Sequence, residues 1–301
     1  MNNLPWLVRA PVLADVLPLA AIATAVSQPH TPINPEIIRW SMDQLDGRFW
    51  TITQQAQPIG YAALLPLPGL PHLFELTGGI DPPFQRQGAG SYLWHTMRQT
   101  LGRPALATGA GPEITYTVPN LDTPTARFLR HHQFTLEHEE WTMRLTGLPG
   151  VEVNPPHRDG QLMMLGQDTA VRTLPALYER CFVGTPWFQA YTPAEVAATW
   201  EPGDQLWTLT DENKPVGFAW LRFPESGAAE IEPIGIVREK QGMGYGRFLL
   251  TSLLQLLQKR GIETVSLGVW ANNATAVRLY QSVGFHYVSS SYSLTYIVPA
   301  T

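Results

Sequence analysis

Two sequence motifs occur twice in this 301-residue chain, in the same order and at nearly the same separation. The first reads QRQGAGSYLW at 85–94 and QGMGYGRFLL at 241–250, so both copies are Gln-x-x-Gly-x-Gly followed by an apolar helical pattern. The second reads DTPTARFLRHHQF at 122–134 and NATAVRLYQSVGF at 273–285. Two independent motifs that repeat together indicate a duplicated domain rather than a chance match.

Each half also has the same predicted order of elements. Alternating and helical patterns predict a strand, two helices, three further strands, a glycine loop with a long helix, and a closing strand–helix–strand region. This order is typical of an α/β (α+β) fold, with a mixed sheet flanked by helices. A stretch rich in Pro and Gly at 146–160 marks the linker. We therefore predict two domains, 1–148 and 160–301.

Composition describes a globular chain and argues against several functions. The net charge of −5 disfavours nucleic-acid binding, which depends on basic patches. The first apolar run, 12–26, contains Asp15 and Pro18 and is shorter than the roughly 20 residues that a membrane span needs. No basic cluster precedes it, as a secretory signal would require. We expect a cytoplasmic protein with no membrane or nucleic-acid partner.

Neither a metal site nor a reactive cysteine is expected. The single cysteine, Cys181, ends an amphipathic helical pattern, which favours a buried thiol over a nucleophile. The histidines show no convincing metal-ligand spacing, and the adjacent His131 and His132 would point to different sides of a helix. We therefore assign no metal.

The glycine loops predict an anion-binding site at a helix start. Such a start exposes unpaired N–H groups and the positive end of the helix dipole, and glycines let those groups surround a phosphate. A Walker loop is excluded because no Gly-Lys-Ser/Thr triplet follows. A dinucleotide fingerprint is excluded because Arg247 occupies the third glycine position. For the loop taken alone, a plain structural turn is the alternative.

Together, the second-half motifs resemble those of the GNAT superfamily of N-acetyltransferases. That family's pyrophosphate loop reads Gln/Arg-x-x-Gly-x-Gly/Ala, and its later motif reads Asn-x-x-Ala-x-x-Leu-Tyr-x-x-x-Gly-Phe. The later motif is matched here by Asn273, Ala276, Leu279, Tyr280, Gly284 and Phe285. The resemblance covers 162–298 strongly and the first half more weakly. It implies two tandem GNAT folds, each with a mixed, mostly antiparallel sheet, and direct transfer of an acetyl group from acetyl-CoA to an amine.

The resemblance also implies which residues hold acetyl-CoA. They lie on the fourth strand of the second half, on both glycine loops and at the start of the later helix. In the second half they are Ile234, Gly235, Ile236, Val237, Gln241, Gly242, Met243, Gly244, Tyr245, Gly246, Arg247, Asn273 and Tyr280. In the first half they are Ile80, Gln85, Arg86, Gln87, Gly88, Ala89, Gly90 and Ser91. For Asn273, helix capping alone is a sufficient explanation.

Three side chains are predicted to move protons. Tyr280 stands where the family places its general acid, and a phenol of pKa ~10 can protonate a thiolate of similar basicity. Packing on the buried face of its helix is the alternative. Glu230 and Glu232 lie two apart on a strand and so face the same side, where either could take the proton of the amine. Glu230 is slightly preferred because its spacing to the glycine loop resembles that of the family's carboxylate bases. Solvated strand residues are the alternative.

The first half departs from the family pattern. Leu129 replaces the tyrosine, Asp122 the asparagine and Gln133 the glycine. We therefore expect a degenerate first domain and an active second one, an arrangement similar to that of mycothiol synthases, although no residue ties the chain to their substrate. A non-catalytic acyl-CoA sensor or interaction module is the alternative function.

The acceptor is expected to be a primary amine of a small molecule or a peptide. In this family the first two helices of a domain and the loop between them build the acceptor pocket. That segment of the second half is rich in aromatic residues, which favour a small or partly apolar amine and can equally belong to the core. They are Phe182, Trp187, Phe188, Tyr191 and Trp200.

Overall fold

The computed structural model describes residues 5–27, 32–45, 47–67, 70–101, 112–148, 160–186, 188 and 190–299. The first-half strands are β1 (Trp6–Arg9), β2 (Phe49–Gln54), β3 (Gln57–Leu67), β4 (Leu70–Ile80), β5 (Glu113–Val118) and β6 (Thr135–Thr146). The first-half helices are α1 (Val16–Val26), α2 (Pro35–Gln44), α3 (Ala89–Thr100) and α4 (Pro124–His131). Most of the predicted linker, 149–159, falls outside the described residues.

The second half repeats this order of elements. Its strands are β7 (Gln161–Leu165), β8 (Gln205–Asp211), β9 (Lys214–Arg222), β10 (Ala228–Ile236), β11 (Thr264–Trp270) and β12 (His286–Ile297). Its helices are α5 (Gln167–Phe182), α6 (Pro193–Thr199), α7 (Tyr245–Lys259) and α8 (Ala274–Val283). The repeated order confirms the duplicated α/β fold that the motifs predict. The division into domains at 148 and 160 stays a prediction.

The last strand of each half is exchanged into the other half. All twelve strands form one sheet, in the order β1-β2-β3-β4-β5-β12-β6-β11-β10-β9-β8-β7. β12 lies antiparallel to β5 of the first half, with Tyr292 opposite Val118. β6 lies antiparallel to β11 of the second half, with Glu140 opposite Trp270. Because β6 and β12 also pair with each other, the two halves meet at an exchanged pair of strands at the centre of the sheet.

The hydrophobic cores follow this exchange. Leu294 and Tyr296 of β12 are buried among first-half residues, and the Tyr296 ring meets Trp94 of α3 edge-on at 5.2 Å. In return, Met143 and Leu145 of β6 are buried in the second-half core. Burying a large apolar side chain contributes roughly 1.5–3 kcal/mol, so each half draws stability from the other half's strand.

Helix α7 is held firmly beneath the second-half sheet. Leu249, Leu253 and Leu257 recur every four residues and are completely buried. The helix ends where the Ile262 N–H donates to the Leu257 carbonyl and Gly261 adopts a φ of +76°. This packing fixes the position of the helix start, where the glycine loop lies.

Cys181 is buried on α5, as the sequence predicts. Burial raises the pKa of its thiol to about 12, which leaves almost no thiolate at neutral pH. Among the described helices, none has both the length and the apolar character needed to cross a membrane.

The exchange predicts that a change in the last strand weakens the first half. Leu294→Ala removes a fully buried side chain from β12 and should cost about 2–5 kcal/mol in the free energy of unfolding. Hydrogen exchange followed by mass spectrometry should show the loss of protection in α3. Ile297→Ala, at a position 62% exposed on the same strand, is the control and should change stability by less than about 0.5 kcal/mol. Loss of protection confined to α7 would contradict the exchange.

Candidate active site

The parallel strands β10 and β11 separate along their length. They pair only from Ala228 opposite Thr264 to Glu230 opposite Ser266. Beyond that point β10 continues along β9 as far as Ile236, while β11 continues along β6. The backbone of β10 after Glu230 therefore faces an opening in the sheet, where an extended ligand with amide groups can pair with it.

A β-bulge lies in β10 at the mouth of this opening. Ile231 is opposite Leu221 and Ile234 is opposite Ala219, so β10 has one more residue than β9 between these two pairs. The extra residue falls at Glu232 and Pro233. A bulge re-aims the side chains beside it, and a proline suits such a place because it has no N–H to pair. The bulge comes immediately before the predicted stretch 234–237.

The glycine loop joins the end of β10 to the start of α7. Gly242 and Gly244 adopt φ values of +73° and +87°, in the left-handed region that favours glycine. Because α7 begins at Tyr245, the N–H groups of its first turn have no partner within the helix and lie at the positive end of the dipole. This geometry suits an anion such as a pyrophosphate.

The loop glutamines have a structural role that sequence reasoning missed. Gln241 Nε2 donates to the Ile236 carbonyl at 2.9 Å, and Gln85 Nε2 donates to the Ile80 carbonyl at 2.8 Å in the first half. Each glutamine closes its loop against the strand before it. The signal that could have suggested this loop-closing role is a glutamine five residues after the last strand residue, which occurs in both motif copies.

Asp211 at the end of β8 anchors the second-half loop. Its Oδ2 accepts hydrogen bonds from Lys240 Nζ at 2.8 Å and from Tyr245 Oη at 2.6 Å. The Tyr245 side chain is completely buried, so only its backbone is available at the helix start. Of the other predicted loop residues, Met243 is exposed and Arg247 donates to Ser282 Oγ of α8 at 2.6 Å.

Glu230 and Glu232 lie close together on the same side of the sheet, near enough for the charge of Glu230 to act on Glu232. Taken as a whole residue, Glu232 is exposed, while its carboxylate lies over the backbone of Gly268. Burial raises the pKa of Glu232 to about 7, and the charges of Glu140 and Glu230 add to this effect. Glu140, on the exchanged strand β6, is a neighbour that the sequence analysis missed.

Tyr280 is buried but close to these carboxylates. Its ring is 6% exposed and packs 6.0 Å from the Phe285 ring, in agreement with the packing interpretation. Burial raises the pKa of Tyr280, and the charge of Glu232 adds to the rise, so the phenol keeps its proton at neutral pH. Asn273 caps α8, since its Oδ1 accepts from the Ala276 N–H at 3.2 Å. A contact of Asn273 with a cofactor stays a prediction.

The first half retains part of this arrangement. Strand register makes Glu75, opposite Leu65, the counterpart of Glu230, opposite Arg222. However, β4 has no register shift at the place of the bulge, and Thr77 stands there. Leu129, in the place of Tyr280, is buried in the first-half core. The first half therefore lacks the bulge, a carboxylate in the place of Glu232 and a tyrosine in the place of Tyr280.

The first-half loop has the same outline but different neighbours. Gly88 caps α3 with a φ of +96°, and a Cβ there would lie 3.4 Å from the Trp6 ring. Gln87 Nε2 donates to the Pro83 carbonyl at 3.0 Å, and Ser91 Oγ lies 3.0 Å from His132 Nε2. Cofactor binding by this loop stays a prediction.

Most of the predicted acceptor-site aromatics pack against other aromatic rings. Phe182 and Tyr191 lie 4.6 and 5.0 Å from Tyr178, measured between ring centroids. Burial raises the pKa of Tyr191, and the charge of Glu232 adds to the rise, so this tyrosine also lies near the carboxylate site. Trp187 falls in a part of the chain that is not described. Across the described ranges, no three His, Cys, Asp or Glu residues are placed to hold a metal ion.

Sequence comparison identifies the family. The profile of the Acetyltransferase (GNAT) family matches residues 18–132 and 171–285. A mycothiol acetyltransferase of Brachybacterium faecium is 30% identical over 69% of this chain and 63% of its own length. Another, of Arthrobacter sp., is 33% identical over 68% of this chain and 65% of its own length. A third, of Beutenbergia cavernae, is 34% identical over 36% of this chain. That match spans 39% of the relative's length, so the chain covers less than two thirds of each of these relatives.

Solved structures support the fold over the whole chain. A GCN5-related N-acetyltransferase from Sphaerobacter thermophilus matches with a TM-score of 0.68 at 19% identity, over 98% of this chain and 96% of its own. A tandem GNAT protein from the clavulanic acid biosynthesis pathway matches with a TM-score of 0.65 at 14% identity, over 98% of this chain and 99% of its own. At such identities the likeness concerns the fold alone. The chain belongs to the GNAT family of acetyltransferases and contains two copies of the family's domain.

Proposed function

We propose that this chain is an acetyl-CoA-dependent N-acetyltransferase that moves an acetyl group directly to a primary amine, with the chemistry in its second half. One observation carries the proposal. The opening between β10 and β11 leads into the glycine loop, and Glu232, a carboxylate with a pKa of about 7, lies at its mouth. A donor site and a group able to accept a proton at neutral pH thus lie together.

The donor would bind along β10 and at the start of α7. The first-turn N–H groups of α7, including that of Tyr245, suit the pyrophosphate of coenzyme A. The backbone of 234–237, beyond the bulge, is available to pair with the amide groups of the pantetheine arm. An N–H in this stretch would stabilise the negative charge that develops on the thioester oxygen.

Glu232 would take the proton that the amine must lose. An amine of pKa ~8–10 is mostly protonated at neutral pH, and a base of pKa near 7 is partly ionised there while binding the proton well. The nitrogen then forms a bond to the carbonyl carbon, and the carbon–sulfur bond breaks. Tyr280, which keeps its proton at this pH, would protonate the departing thiolate. The nitrogen loses its second proton as the amide forms, and this proton would restore Tyr280, while Glu232 releases the first proton to solvent.

The acceptor proposed is a small molecule, with a peptide amine as the alternative. The supporting observation is that several relatives carry the name mycothiol acetyltransferase. Mycothiol-related amines are therefore the first acceptors to assay, beside a panel of simple amines and peptides.

Glu232→Gln should lower kcat/KM for acetyl transfer by about 10²–10⁴-fold, because an amide cannot accept the proton. For the unaltered chain, kcat/KM should rise with pH through a midpoint near 7, since Glu232 must be ionised to act. A stopped assay of CoA release from pH 5 to 9 measures both. The comparison variant is Glu230→Gln, which should leave a measurable pH-dependent rate. A larger loss in Glu230→Gln than in Glu232→Gln would instead make Glu230 the base, as the sequence spacing favours.

Tyr280→Phe should reduce kcat by about 10²–10³-fold with little change in KM, since only the proton donor is removed. The ring packing against Phe285 is retained, so the melting temperature should stay close to that of the unaltered chain. If kcat stays unchanged, Tyr280 is a core residue and another group protonates the thiolate.

The sensor alternative makes a different prediction for binding and turnover. Isothermal titration of the full chain with acetyl-CoA should give one site, since only the second half has the bulge. A stoichiometry of two would give the first-half loop the same cofactor role. Binding with no CoA release across the amine panel would favour the non-catalytic sensor. An absence of binding would contradict both the acetyltransferase and the acyl-CoA sensor.

A further inference from the structure

Strand exchange brings a carboxylate from the first half to the second-half site. Glu140 lies on β6, directly opposite Trp270 of β11. Its neighbours across the opening, Glu230 and Glu232, belong to β10 of the second half. Glu140 belongs to the other half and precedes Glu230 by 90 residues in the sequence, so only the exchange of β6 places it there.

Gly268 provides the space over which two of these carboxylates lie. It lies two residues before Trp270 and so faces the same side of the sheet. A Cβ on Gly268 would lie 2.7 Å from Glu140 Oε1, and 3.0 and 3.1 Å from the two carboxylate oxygens of Glu232. Both carboxylates therefore lie over the same bare backbone position, within about 6 Å of each other, where like charges interact appreciably.

We infer that Glu140 is a positioning residue for Glu232, acting across Gly268 through the charge of its carboxylate. This role rests on the proposed function, in which Glu232 is the base. It also gives the first half a part in the chemistry of the second, through a side chain rather than through a second active site.

The charged and titratable groups around Glu232 decide the direction of this effect. Like charges come from Glu140 on β6 and Glu230 on β10, and Arg222 on β9 opposes them. Tyr280 of α8 and Tyr191, before α6, are neutral at pH 7 because both have raised pKa values. Without Glu140, one of the two like charges is gone while Arg222 remains. Glu232 should then hold its proton less tightly.

The surroundings of Glu140 agree with this role. Its side chain is partly buried, and burial together with the charge of Glu230 raises its own pKa. A carboxylate fully solvated on a strand surface would show neither effect. Any side chain at position 268 would occupy the space over which the carboxylates of Glu140 and Glu232 lie.

The direct test is a carboxyl-carbon NMR titration of the full chain labelled with ¹³C at glutamate. The Glu232 signal is assigned as the one missing in Glu232→Gln. We expect its midpoint near 7 in the unaltered chain and about one pH unit lower in Glu140→Gln. Glu140→Asp keeps the charge and should recover most of the shift. An unchanged Glu232 midpoint in Glu140→Gln would overturn the inference, and this readout needs no catalytic turnover.

Two further variants separate charge from structure. Glu263→Gln removes an exposed carboxylate just before β11, the strand that carries Gly268, and should leave the Glu232 midpoint in place. Gly268→Ala keeps every charge but places a methyl group between the two carboxylates. Because it meets only the ends of flexible side chains, the fold should persist while the midpoint moves. An equal shift in Glu263→Gln would mean a general charge effect and would contradict a specific role for Glu140.

The pH dependence of acetyl transfer tests the proposed function separately. The midpoint of kcat/KM should fall in Glu140→Gln by the same amount as the Glu232 titration. A titration shift without any acetyl transfer by the unaltered chain would uphold the Glu140–Glu232 interaction and reject the proposed function. A lower kcat with unchanged titration and rate midpoints would make Glu140 merely structural.

Discussion

The pairing of β6 with β12 at the centre of the sheet is the constraint on which the rest of the structure depends. Each of these strands closes the hydrophobic core of the other half, so Leu294 and Met143 are buried far in sequence from most of their neighbours. The second half therefore depends on the first half for its core, although the first half lacks the bulge and has Leu129 in the place of Tyr280. Duplication alone would leave two independent units, whereas the exchange makes each half a structural part of the other.

The site depends on backbone groups that the sheet leaves open. Buried N–H and carbonyl groups normally find partners, so the separation of β10 from β11 is stable only where water or a ligand can supply them. At the bulge, Glu232 and Pro233, strand β10 changes direction, and its pairing with β9 continues on both sides. Asp211 and the leucines of α7 then hold the helix start next to this opening. The stability of the second-half core thus fixes the geometry of the proposed donor site.

Local sequence signals were sufficient to predict the repeated elements, the glycine loops, the cap at Asn273 and the buried thiol of Cys181. They were insufficient to predict the strand exchange. β6 and β12 follow similar helices, and the alternation of apolar and polar residues predicts a strand without specifying its neighbour. Glu140 was missed for this reason. Likewise, the extra residue in the bulge changes the count along β10, so only strand register reveals that Glu75 matches Glu230.

The two halves offer an internal comparison of what the fold needs and what the chemistry needs. Both have the same strand order and separating parallel strands, yet the first half has Glu75 and Thr77 where the second has Glu230 and the bulged Glu232. Crowded carboxylates repel each other and resist ionisation when desolvated, so they weaken the fold rather than support it. The fold forms without that crowding in the first half. In the proposed mechanism, the crowding in the second half helps to raise the pKa of Glu232 to about 7, where the carboxylate can take the proton of the amine.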